Sequence, residues 1–171
     1  MYFEAVAMWY SFVIAFMLTA AIADLVWRRI PRQLAIAGFA VGIGVNAYHG
    51  QLASALFAAL MGFGAGLALF HLRAIGGGDV KLVVALGAML GWHDWIFSME
   101  IAVIFAGLVA IGTAIYRQRF RRLLTNTAQL AGWIRANGLT PHPEIHVTNN
   151  ALGHSPFAIA AAIGVLVAVL R

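Results

Sequence analysis

Apolar residues fill this chain in long unbroken runs, and the polar residues collect between them. The runs fall at about 6–25, 34–48, 52–72, 80–92, 95–116 and 155–170. Runs of this length without strand-like alternation predict helices. A helix crossing a hydrocarbon core of ~30 Å needs about 20 apolar residues. The second and fourth runs are short for that thickness, so they are expected to extend into their flanks or to lie sheltered. The pattern predicts an all-α fold: a polytopic membrane helix bundle of about six transmembrane helices, a single domain over residues 1–171.

The longest polar interval, 117–154, is not uniform. Phe120, Leu123, Leu124, Thr127, Leu130, Ala131 and Ile134 recur near helical spacing, set against Arg119, Arg122, Asn126 and Arg135. Asn137-Gly138 then supplies a helix stop. This predicts a basic amphipathic helix between the last two spans, lying on the inner leaflet. Residues 140–154, with Pro141, Pro143 and Asn149-Asn150, read as an irregular connection. Ser155-Pro156 opens the last helix as cap and first-turn proline. Within the runs, Gly38/Gly42, Gly62/Gly66 and Gly87/Gly91 carry the four-residue spacing that lets membrane helices approach closely.

Composition agrees with the pattern. Hydrophobic residues make up 63% of the chain and charged residues 10%, against roughly 45–50% and 25% in soluble domains. Cysteine is absent, which excludes disulfides, thiolate zinc sites and a cysteine nucleophile from these residues. The net charge of +5 is assigned to topology and anionic lipid, not to nucleic acid. Arg28, Arg29, Arg32, Arg73, Lys81, Arg117, Arg119, Arg121, Arg122 and Arg135 all follow runs one, three and five, and only Arg171 lies on the other side. Basic residues mark the cytoplasmic side, so both termini are expected outside. Ala21-Ile22-Ala23 resembles a signal cleavage site, but Glu4 and no Lys or Arg precede the run, which points to a retained first span.

Against this background six acidic residues stand out, and two of them, Asp24 and Asp79, end or begin apolar runs. A carboxylate at bilayer depth costs at least ~2.5–3.5 kcal/mol, so its default reading is functional. The charge count places both at the cytoplasmic ends of their helices, at similar depth. Two facing carboxyl groups do not both ionise readily. One can hold a proton as acid while the other deprotonates a water, which can then attack a peptide carbonyl without metal or covalent intermediate. The structural alternatives are a helix-end pair of Asp24 with Arg28, and Asp79 as a helix N-cap after a glycine turn. Gly76, Gly77 and Gly78 before Asp79 offer backbone conformations that other residues resist and close approach of a substrate strand. They do not form a phosphate cradle, since no Gly-Lys-Ser/Thr follows. Lys81 reads as a boundary cation that snorkels to the membrane face.

The remaining candidates are weaker. Asp94 reads as a solvated loop charge and Glu100 as interfacial, while His71 lies at a span boundary. His142-Pro143-Glu144-Ile145-His146 lacks the helical His-Glu-x-x-His spacing, and Pro143 opposes the helix that would align its rings. No metal or cofactor site is expected.

The residues around the two aspartates resemble a known family. Gly76-Gly77-Gly78-Asp79-Val80-Lys81-Leu82 is similar to the Gly-x-Gly-Asp signature of membrane aspartyl proteases, and its Val-Lys-Leu ending to that of type IV prepilin peptidases. Asp24-Leu25-Val26-Trp27-Arg28-Arg29-Ile30-Pro31 resembles the first site of the same family, with Arg32 where asparagine is usual. Ser155-Pro156-Phe157-Ala158-Ile159-Ala160 is similar to its last helix. The resemblance implies a prepilin peptidase of the bacterial inner membrane with Asp24 and Asp79 catalytic, cutting near the cytoplasmic face. Its substrate would be a prepilin, a Flp-type (tight-adherence) pilin or pseudopilin. Larger members carry a Cys-rich domain associated with N-methylation, so the resemblance here is to the small, peptidase-only type. The competing classes are a proton-coupled transporter, whose carboxylates would relay protons, and a non-catalytic membrane subunit of pilus assembly.

Overall fold

The computed structural model describes residues 2–27, 30–72, 75–116, 118, 120–138, 140 and 157–170. Six helices follow in order: α1 (Tyr2–Trp27), α2 (Arg32–Tyr48), α3 (Leu52–His71), α4 (Gly77–Tyr116), α5 (Phe120–Asn137) and α6 (Phe157–Val169), with no strand among the described residues. Three segments, Met8–Trp27, Leu52–His71 and Gly77–Tyr116, are long and apolar enough to cross a membrane, and Phe157–Val169 is a shorter apolar helix. The protein is a helical membrane bundle. Arg28, Arg29, Arg73, Arg117, Arg119, Arg171, the histidine pair at 142–146, the rest of the 141–154 connection and Ser155-Pro156 lie outside the described residues.

The fourth and fifth apolar runs are continuous within α4. Its helix starts at Gly77, ahead of the run itself, and the two arms, 77–90 and 92–116, meet at Gly91 without an intervening loop. Gly91 has φ 71° and ψ 179°, a backbone region that is essentially restricted to glycine. The chain folds back there: the Trp95 indole N–H donates to the Val83 carbonyl at 3.1 Å, a reach that a straight helix would not permit across twelve residues.

Breaking a helix at Gly91 leaves backbone donors and acceptors to satisfy inside an apolar bundle. In an unbroken helix the Trp92 N–H would bond the Ala88 carbonyl. Here the Trp92 N–H donates to Ser54 Oγ of α3 at 2.9 Å. Asn46 Nδ2 of α2 donates to the Ala88 and Met89 carbonyls at 3.0 and 3.1 Å, and to Gly42 O at 3.0 Å. One side chain from each neighbouring helix thus replaces the lost bond. Asn46 is buried for this reason.

The first arm of α4 is the axis of the fold. Leu82, Leu86 and Met89 are fully enclosed and cluster with Val13 and Met17 of α1 and Val165 of α6. The short fourth run is therefore sheltered by protein, as its length suggested. Glycines set the approach of its neighbours. An added Cβ at Gly42 would meet the Ala88 backbone at 2.7 Å, one at Gly87 the Ala58 and Ala59 backbone at 2.7 Å, and one at Gly164 the Ser98 carbonyl. The small-residue spacings were read as a packing device; Gly42 and Gly87 serve as one, Gly91 is the helix break instead, and Gly164 was not among the glycines singled out.

Candidate functional site

Six contacts fix which ends of the helices lie together. The α3 contacts run antiparallel to the first arm of α4: Gly87 faces Ala58, Gly62 faces Val83, and Gly66 faces Val80. The α2 contacts run parallel to it, with Ile30, just ahead of α2, facing Gly78 and Gly42 facing Ala88. At the Gly91 end, the Tyr10 hydroxyl of α1 donates to Asp94 Oδ2 at 2.8 Å. From Tyr10 to Asp24 is about 21 Å of helix, and from Asp79 to Gly91 about 18 Å, at 1.5 Å per residue. Asp24 and Asp79 therefore occupy the same end of the bundle, opposite Gly91.

The two motifs touch through their flanks. Gly78 stands against buried Ile30, with an added Cβ reaching Ile30 Cβ at 3.5 Å and its backbone N at 3.6 Å. The Ile-Pro turn that follows Asp24 is thereby packed on the glycine turn that precedes Asp79. Pro31 has φ −58° and ψ 131° and stands immediately before α2. A residue preceding proline is steered away from helical backbone, so Ile30-Pro31 stops one helix and admits the next. Gly77 faces the Phe70 ring at the end of α3, and His71 beside it is exposed.

Asp24 is buried, 5% exposed, in the last turn of α1. Arg28, its partner in the alternative helix-end reading, is outside the described residues. Asp79 is half-buried in the first turn of α4. It is not the N-cap. The helix begins at Gly77, and Asp79, three residues after Gly76, turns its carboxylate back so that the Gly76 N–H donates to Oδ2 at 3.0 Å. The backbone N–H groups of Asp79 and Val80 in turn donate to the Gly76 carbonyl at 3.1 and 3.3 Å. This is the reaching-back half of a capping box. A carboxylate there also meets the positive end of the helix dipole.

The glycine turn departs from one expectation. Positive φ among the described glycines occurs at Gly50, Gly91 and Gly138, not at Gly76, Gly77 or Gly78. An added Cβ would meet Asp79 Oδ2 at 3.3 Å from Gly76, and Phe70 at 3.6 Å from Gly77. The triplet is not required by left-handed backbone. What it leaves is an exposed strip of bare backbone at Gly76 and Gly77 beside Asp79. Lys81 is exposed on the next turn.

Asp94 is not a loop charge. It lies within α4, half-buried, and ties α1 to the far end of the bundle through Tyr10. Glu100 also lies within α4 and is exposed. Among the described residues, no group of three or more His, Asp or Glu side chains is placed to hold a metal ion. Asn46, Ser54 and Tyr10 were missed as structural determinants. A lone amide inside an otherwise apolar run was the signal available for Asn46.

Comparison with known proteins bears on the segment that carries both aspartates. The chain is similar to the prepilin leader peptidase/N-methyltransferase of Escherichia coli (strain K12), 28% identical over 128 residues. That match covers 70% of this chain and 55% of the relative, so the chain spans about half the relative's length. No solved structure matches significantly. Residues 11–111, from the middle of α1 through Asp24, Ile30-Pro31 and Asp79 into the second arm of α4, match the type IV leader peptidase family. More than half of the sequence, including both aspartate motifs and the turns that pack against each other, falls in that match, and the chain belongs to the type IV leader peptidase family.

Proposed function

We propose that this protein is a membrane aspartyl endopeptidase that removes the leader from prepilin-type substrates, with Asp24 and Asp79 acting through a shared water. The observation that carries the reading is the contact of Gly78 with Ile30. It brings the turn before one aspartate against the turn after the other, at one end of the bundle.

The two carboxyl groups stand at opposite kinds of helix end. Asp79 lies in the first turn of α4 and accepts the Gly76 N–H, and Asp24 lies in the last turn of α1. In the proposed reaction Asp79 takes the proton of the attacking water. The water oxygen bonds to the scissile carbonyl carbon, Asp24 supplies a proton to the leaving nitrogen, and the carbon–nitrogen bond breaks. The bare backbone at Gly76-Gly77 is suited to an extended substrate strand, whose peptide bond is accessible where that of a helix is not.

The charge distribution supports a position in the bacterial inner membrane with this end of the bundle facing the cytoplasm and both termini outside. Prepilin leaders and the membrane segments that follow them would then present their junction at the depth of the two aspartates. A peptidase without the methyltransferase reaction, serving Flp-type pilins or pseudopilins, is the narrower form of the proposal. It rests on the absence of cysteine from these 171 residues.

The test is prepilin processing in membranes bearing wild type, Asp24→Asn or Asp79→Asn, read as a leader-sized mobility shift. Each variant is expected to lose at least ~100-fold in cleavage rate, the usual scale of a positioned acid or base, with membrane insertion intact. Processing that survives either change at equal expression would refute the dyad and move the transporter reading forward.

A further inference from the structure

Among the described side chains, part of the apolar face of α5 is left exposed. Leu124, Ala128, Ala131 and Ile134 follow helical spacing along one side of α5. Leu124 is 55% exposed, Ala128 and Ala131 are exposed, and Ile134 is half-buried. In the described structure α5 packs chiefly against α4, whose last residue, Tyr116, precedes it by only a few positions. On the opposite face Trp133 donates from its indole to Thr140 Oγ at 3.2 Å, and Asn137 Nδ2 donates to the Trp133 carbonyl at 3.3 Å. These contacts close the end of α5 on itself and take up none of the exposed apolar positions named above.

Charge identifies the occupant. Arg121 and Arg135 are exposed at the two ends of this strip. Between Glu100 and Glu144 the sequence contains no acidic residue, while it contains five arginines. A protein partner for a bare apolar strip would have to be recruited, whereas the bilayer that holds α4 is already within a few residues of it. We infer that α5 docks flat on the membrane surface beside the candidate site and that its ligand is a bilayer containing anionic phospholipid. Apolar side chains enter the headgroup boundary while the arginines meet lipid phosphates. This inference is independent of the proteolytic reading, and its test does not read activity.

The absence of cysteine makes the test clean. Single variants Leu124→Cys and, on the polar face, Gln129→Cys carry an environment-sensitive thiol label in the full chain. They are reconstituted in phosphatidylcholine vesicles with or without phosphatidylglycerol. The label at 124 is expected to shift to the blue and resist an aqueous quencher only when phosphatidylglycerol is present, while the label at 129 stays accessible. Adding Arg121→Ala or Arg135→Ala should weaken the protection about five-fold each, the factor that ~1 kcal/mol per basic residue gives at an anionic surface. Protection at 124 that is the same in both vesicles, or that persists in detergent, would overturn the inference in favour of a protein-covered face. Free access to 124 in both vesicles would overturn it outright.

Discussion

Two sets of glycines in this protein look alike in sequence and do opposite things. Gly42, Gly87 and Gly164 lie in helix interiors, where an added Cβ would run into the backbone of a neighbouring helix. Gly76, Gly77 and Gly78 lie at a helix start, where an added Cβ would meet side chains at 3.3–3.6 Å. None of these six has a positive φ. The first set is explained by the protein itself, since backbone against backbone cannot yield. In the second, Gly78 packs on Ile30, while Gly76 and Gly77 are exposed and meet no neighbouring backbone among the described residues. Bare backbone that the fold does not require, next to a half-buried carboxylate, is what a site reserved for another chain would show.

The largest effect expected in this comparison is at the packing set. Gly87→Val forces branched carbons against the Ala58–Ala59 backbone, and overpacking of this kind costs roughly 1–3 kcal/mol or more. Thermal unfolding in detergent should show a clear fall in midpoint, with cleavage falling only as folded protein is lost. A Gly87→Val protein of unchanged stability would mean that α3 and α4 are further apart than the contacts here.

Next in size is the support of the helix break. Asn46→Leu removes the donor to the Ala88 and Met89 carbonyls, and each buried acceptor left unsatisfied costs about 1–3 kcal/mol. Asn46→Leu should lower the unfolding midpoint, and a second change of Ser54→Ala should add less than its effect alone, because both side chains serve one break. Strict additivity would show that they act separately.

These residues also mark where sequence reading ended. The apolar runs, the basic amphipathic α5 and the small-residue spacings are periodic properties, legible from the chain alone. So was the common end of Asp24 and Asp79, since charge on loops counts orientation. The boundary was placed between the runs ending at 92 and starting at 95, and Gly91 was read as a packing glycine, because a single positive-φ glycine leaves no mark in a pattern of apolar and polar positions. Asn46 and Ser54 bond residues about forty positions away, and no local pattern encodes that pairing. The position of Asp79 at the third residue of α4 depended on whether Gly76 or Asp79 itself preceded the first helical turn. The Tyr10–Asp94 bond was hidden for the same reason as Asn46: each partner looks ordinary without the other.

The glycines beside Asp79 sharpen the comparison from the other direction. Gly77→Ala has room beside Phe70 and should leave stability within ~1 kcal/mol of wild type, or raise it slightly, because alanine restricts the unfolded chain. Cleavage should nevertheless fall about tenfold, since a methyl group on the strip holds the substrate off by a fraction of the ~1 Å that can cost 100-fold. The dissociation between unfolding midpoint and processing rate is the measurement. If Gly77→Ala cleaves at the wild-type rate, the exposed strip is not where substrate lies.

Lys81 should give the smallest effect. It is exposed one turn beyond Gly77, and its reading as a boundary cation asks only that positive charge stand near the membrane face. Exposed substitutions away from special contacts change stability by no more than ~0.5 kcal/mol, about a factor of two. Lys81→Ala should therefore fold normally and process prepilin within that factor, and Lys81→Arg should be indistinguishable from wild type. Complete loss in Lys81→Ala with normal unfolding would put the ammonium group in the site. Restoration by arginine would then separate a need for charge from a need for the amine, because the two cations share charge but not shape. The contrast between glycines would survive that result, and the ammonium group would then act on the half-buried carboxylate beside them.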